Sequence, residues 1–253
     1  MRIAVASLSM AIAVTPTHAQ TSNLNGAVAL SSQLVDRGLA ITPVTPFLQA
    51  AGSWTSANGW VLGLSAGTPL RSTGHGSEAL AQVGHYWSLA DDWRMQAGLV
   101  YYTYPGNARA RAFDRAEASI NWMYRDVLTF GLSAIRLTRG SNHQPRGAAD
   151  VDFHWPLPAH FSVSAGVGVA QPLSTTPYYG SSTYGSHEAW GYYYGGGYYP
   201  YRRPRTSSYY GYGHLGLAWT YQAWRVELDR VATDPSQRSL AAAPWVATIA
   251  WSF

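Results

Sequence analysis

Large apolar residues alternate with small or polar ones through most of the chain with a period of two, most sharply at the carboxy-terminal end. From Pro244 to Phe253, Trp245, Ala247, Ile249, Trp251 and Phe253 share one face of an extended strand, and Val246, Thr248, Ala250 and Ser252 share the other. A strand rising about 3.3 Å per residue and tilted by roughly 40° carries the two tryptophans to the rims of an apolar band about 25 Å tall. The same alternation predicts eleven earlier strands. The first covers 26–36, with Val28, Leu30 and Leu34 on its apolar face, and 47–55 and 60–67 follow across the tight turn Ser56-Ala57-Asn58-Gly59. The strand over 78–88 leaves its register open by one residue, because Val83 and Trp87 share a face with His85 while Leu80 and Tyr86 take the other. Strands over 93–104, 113–124, 127–137, 149–155, 161–169, 213–221 and 224–231 complete the series.

Breaks between these segments alternate in length. Tight turns follow strands 2, 4, 6, 8 and 10, and longer loops follow the odd-numbered ones. An even strand count with loop lengths sorted by parity is the signature of a single-chain outer-membrane barrel, with both termini on the periplasmic side. The fold expected is therefore all-β, an antiparallel transmembrane β-barrel of about 12 strands. A soluble sandwich would alternate too, but would not sort its loops in this way.

The amino terminus supports export. Met1-Arg2 is a short positive start, 3–14 is apolar and uncharged, and Thr17-His18-Ala19 offers small residues for cleavage before Gln20, so 1–19 reads as a secretory signal peptide and 20–253 as the barrel. The apolar run is too short for a spanning helix, which needs about 20 residues, and only helices and closed barrels satisfy their backbone groups in lipid. Composition agrees: 12% of residues are charged and 14% aromatic, against about a quarter charged in soluble domains. All 17 basic residues are arginine, and without cysteine there is no disulfide or thiol chemistry. The basic residues form no helical cluster, which speaks against nucleic-acid binding.

Several short runs resemble the TorF-type porin family of Gram-negative bacteria: Ala27 to Gly38, Pro46-Phe47-Leu48-Gln49, Gly59 to Gly63, Val100 to Gly106 and Phe113 to Glu117. The resemblance covers about the first half of the mature chain. This sequence places Gln33 and Asp36 where the family pattern has an aspartate and an aromatic residue. The resemblance implies an outer-membrane location, a transport role, and a terminal aromatic strand, here ending in Trp251 and Phe253, that the barrel-assembly machinery reads.

If the apolar set faces lipid, the polar set faces the lumen. Pore-lining positions are then Arg94, Arg115, Glu117, Asp150, Asp152, His154, Arg225, Glu227 and Asp229, a mixed set without strong selectivity for either sign. Arg115 with Glu117, and Arg225 with Glu227 and Asp229, could equally pair across strands and satisfy one another. Arg136 and Arg230 fall on the outward parity near the extracellular rim, where they could meet lipopolysaccharide phosphates or simply be solvated. The stretch 171–212 holds 12 of the 18 tyrosines, among them Tyr192, Tyr193 and Tyr194, with glycines and the basic residues Arg202, Arg203 and Arg205. It reads as a low-complexity extracellular loop, open to three roles: a disordered loop, surface capture, or an inward-folded constriction.

Enzymatic and metal readings find little support. Ser141-Asn142-His143 are immediate neighbours in a loop, and His154 opposite Ser162 or Ser164 faces the lumen, so neither supplies a nucleophile–base–orienter arrangement directed at lipid. The histidines are scattered, no metal site is expected, and no cofactor is implied. The sequence thus points to an outer-membrane channel for passive diffusion of small hydrophilic solutes, embedded in lipid and lipopolysaccharide. The alternative is a surface-binding or adhesion barrel with a closed lumen, working through its Tyr/Gly/Arg loop.

Overall fold

The computed structural model describes residues 3–5, 8–10, 22–71, 77–105, 110–139, 144–173, 209–237 and 240–253. Ile3–Val5 and Leu8–Met10 form a small antiparallel pair; the rest of the expected leader lies outside the described residues. Twelve antiparallel strands close into a barrel. In chain order they are β1 (Asn23–Ser31), β2 (Phe47–Thr55), β3 (Trp60–Pro69), β4 (Glu78–Ser88), β5 (Trp93–Thr103), β6 (Arg115–Tyr124), β7 (Leu128–Leu137), β8 (Arg146–Pro156), β9 (Phe161–Ala170), β10 (Tyr210–Tyr221), β11 (Trp224–Thr233) and β12 (Trp245–Ser252). Each pairs with its neighbours in sequence, and β12 closes on β1. The expected fold class and strand number hold.

Alternation dictates the wall. In β11, Trp224, Val226 and Leu228 are exposed on the outside while Arg225, Glu227 and Asp229 are buried inside, and β12 repeats this with Trp245, Ile249 and Trp251 outside and Val246, Thr248 and Ala250 inside. An outward apolar face of this kind is stable only against an apolar medium. The ambiguous strand β4 is settled by aromatic packing. His85 lies between the rings of Trp60 and Trp87, 4.9 and 4.4 Å between centroids, so Val83, His85 and Trp87 face outward, and Leu80 is buried within.

The barrel has a turn end, where the first strand begins, the last strand ends and the tight connections lie, and a loop end. Trp54, Trp60, Trp87, Trp93, Trp122, Trp155, Trp219, Trp224 and Trp251 all lie near the turn end, so among the described residues tryptophan is concentrated there. Tight reversals at the turn end use left-handed residues, including Arg125 (φ 46°) with Asp126 (φ 58°), the pair of positive φ values that matches strand twist in a two-residue hairpin. There Arg125 reaches Asp92 at 2.8 Å, and this charge-assisted bond holds the Asp92 carboxyl below its ordinary range and the guanidinium above its own.

Two expectations about the first strand are corrected. β1 ends at Ser31, not at residue 36, and Leu34 is buried inside the barrel, not turned to lipid. Accordingly β12 pairs with Ala27 to Ser31, from Ser252↔Ala27 to Thr248↔Ser31, and Leu34 takes no part in closure. The reason is that the chain after Ser31 turns inward, which a period-two pattern does not register.

Candidate functional site

The loop joining β1 to β2 folds into the lumen. Its tip is a miniature hairpin in which Val35–Asp36 pairs with Leu39–Ala40. Arg37 (φ 49°) and Gly38 (φ 76°) make the turn, and glycine is needed at the second position because an added Cβ would strike Thr233 and Tyr212. At the neck, Gln33 donates to the Thr42 carbonyl at 2.8 Å, Thr42 Oγ1 accepts from the Leu34 amide at 3.0 Å, and the Ile41 amide donates to the Leu34 carbonyl. These local bonds satisfy backbone groups that would otherwise be stranded in the interior.

The apolar side chains of this hairpin reach three parts of the wall. Leu34 and Ile41 join Phe47, Leu80, Tyr102, Tyr104 and Phe113; Leu39 joins Ile135, Ala148, Ala170, Tyr210 and Leu240; Val35 joins Val231 and Val246. The loop between β11 and β12 adds backbone support, with Leu39 bridged to Ala241, the Ala40 amide donating to Leu240 and the Ala242 amide donating to Gly38. The loop-end half of the lumen is therefore filled by a plug that touches wall on every side.

Charge locks the plug in place. Arg37 holds Glu117 with both terminal nitrogens, and Arg115 donates to Asp36 at 2.7 Å and to the Tyr104 hydroxyl at 3.1 Å. The Arg115 guanidinium also stacks 4.0 Å from the Tyr102 ring centroid, so this side chain is completely enclosed at 0% exposure. Asp114, equally enclosed, accepts from the Tyr104 amide at 2.9 Å and pairs with Arg139 at 2.8 Å. Such a network stands only because every charge has an opposite partner or several donors.

The positions expected to line the pore all face inward, but they do different things. Arg115 and Glu117 belong to the lock, and their main partners come from the plug; the expectation that they pair across strands is corrected, since their mutual approach is 3.8 Å along one strand. Arg225 and Glu227 likewise pair within β11, at 3.0 Å. Arg94 sits at the turn end, half-exposed and 2.5 Å from Asp126, away from the deep lumen. Asp150, Asp152 and His154 stand in a row on the inner face of β8, with His154 directly opposite Ser164. Asp229 is buried on β11, opposite Gly216 of β10. Trp251 and Phe253 face outward beside the closing seam, where the Phe253 ring covers Gly26 and the two backbones exchange bonds of 2.9 Å. Arg136 and Arg230 are exposed on the outside, Arg230 within 5.3 Å of the Trp245 ring centroid. Tyr192, Tyr193, Tyr194, Arg202, Arg203 and Arg205 lie outside the described residues.

Sequence reasoning missed Asp36, Arg37, Gln33, Thr42 and Glu78 as interior groups. A signal was present: Asp-Arg-Gly is a turn sequence, and it lies between the apolar pairs Leu34-Val35 and Leu39-Ala40. Among the described residues no cluster of histidines and carboxylates is arranged to hold a metal ion. The chemistry on offer is that of a polar inner wall on the turn side of a charged plug.

No protein-family model matches the chain, and no curated protein matches it. Solved structures do match in fold. A KdgM porin superposes with a TM-score of 0.54 at 7% identity, over 90% of this chain and 98% of that one. A NanC porin superposes at 0.51 and 12% identity over 91% and 99%, and a KdgM porin in complex with disordered oligogalacturonate at 0.50 and 9% over 92% and 99%. The likeness is one of architecture, and the chain shares the barrel fold of these porins nearly end to end.

Proposed function

We propose that the protein is an outer-membrane channel for passive diffusion of small hydrophilic solutes, inserted with its turn end toward the periplasm and its loops outside the cell. The observation that carries this reading is the closed twelve-stranded wall itself, apolar outside and polar within, because water-filled transport is what such a wall permits in lipid. In this reading 1–19 is the export signal, Trp251 and Phe253 are read by the barrel-assembly machinery, and Arg136 and Arg230 meet lipopolysaccharide at the outer rim. In this reading solutes follow the polar inner wall, and the plug of 32–46 is the constriction they must pass. The oligogalacturonate in one structural neighbour belongs to that porin; the interior here carries its own charges.

The plug favours a second reading, that of a surface-binding barrel whose lumen is sealed, because it fills the lumen from wall to wall at one level. Swelling of liposomes containing the purified barrel in a series of sugars of rising size separates the two. A channel admits small sugars and excludes larger ones; no swelling with any sugar, from a correctly folded heat-modifiable barrel, would sink the channel reading.

A further inference from the structure

We infer that the channel, on the reading just given, selects cations, and that the wall of β8 to β11 below the plug is its discriminating surface, with Asp229 beside Ser164 at its centre. Three buried interior arginines are each matched by a carboxylate, Arg37 by Glu117, Arg115 by Asp36 and Arg225 by Glu227, while Arg146, at the loop end of β8, donates to the Pro172 carbonyl. Carboxylates remain beyond that matching. Asp150 and Asp229 stand on β8 and β11, and Glu78 stands at the loop end of β4. The inner wall is thus negative although the whole sequence carries a formal charge of +4, since much of its arginine lies in the loops.

Geometry singles out Asp229. Ser164, Gly216 and Asp229 occupy one level on three adjacent strands, all facing the lumen. Gly216 forms a bare floor between the two side chains, and a methyl group added there would collide with both Asp229 Oδ1 and Ser164 Oγ. Asp229 is 3% exposed, yet its Oδ1 has no hydrogen-bond partner within the protein, and Ser164 Oγ has none either. A carboxylate oxygen withdrawn from bulk water without a donor is costly, and a hydroxyl oxygen alongside it is a second acceptor. Two acceptors over a glycine floor suit a small monovalent cation or a primary ammonium group, and repel an anion. Asp150, on the same wall, extends the negative surface along the lumen.

Reversal potentials of the full barrel in planar bilayers under a KCl gradient test this. Wild type should favour K+ over Cl−, by about three-fold or more, and Asp229→Asn should lower that ratio by about two-fold while the pore still conducts. Asp150→Asn should shift it in the same direction, which keeps the test open if Asp229→Asn misfolds. Anion preference in wild type, or ratios unchanged in conducting variants, would overturn cation selection and leave the channel reading intact. A barrel that conducts neither ion would overturn both.

Discussion

Arg115 is held on several sides: fully enclosed, it bonds Asp36 and Tyr104 and stacks on Tyr102. Removing one partner of a buried ion pair leaves the other charge uncompensated, so Arg115→Met should destabilise the plugged barrel by about 3–5 kcal/mol. Urea unfolding in detergent micelles measures this. The double variant Arg115→Met with Asp36→Leu should recover most of the loss, because both charges then leave the interior together; no recovery would mean that Arg115 acts through its packing on Tyr102 rather than through the pair. The inward direction of Arg115 was legible from alternation alone. Its partner was not, since Arg37 and Glu117, like Asp36 and Arg115, are about eighty positions apart in sequence.

At the scale of elements, the plug hairpin is held by its own neck bonds, by three apolar contacts and by the charge lock, while the barrel ladder closes without it. Deleting Leu34 to Ile41, which joins Gln33 directly to Thr42, should therefore leave a heat-modifiable barrel and raise single-channel conductance by about two-fold or more, because this hairpin spans the lumen from wall to wall. Unchanged conductance in that variant would place the constriction elsewhere, for example in the stretch 171–212. The ends of that stretch already touch the interior: Leu173 packs against the plug clusters and Tyr210 is buried beside them. β4 shows how far an element can be read in isolation. Its polar and apolar faces fit two registers almost equally, and the choice was made by His85 finding Trp60 and Trp87 on the outer surface.

For the molecule as a whole, closure depends on β12 meeting β1, a short seam of five residue pairs flanked by the Phe253 bonds to Gly26. Removing Phe253 takes away those flanking bonds and the ring over Gly26, so it should slow or reduce barrel assembly without blocking export. Heat-modifiability in outer-membrane fractions reports this, and a normal yield of folded barrel would remove Phe253 from the assembly signal. The sequence by itself determined the class of fold, the number of strands, the sorting of turns and loops, and which face of nearly every strand meets lipid. These are properties of a two-residue period and of local turn chemistry, so each short segment reports its own. What fills the lumen was decided only in three dimensions. Barrel closure carries the 32–46 loop across to β6, β7 and β11, and strand register sets Ser164 of β9 level with Gly216 and Asp229 of the β10–β11 hairpin; no local pattern encodes the contacts of the loop with segments so far apart along the chain.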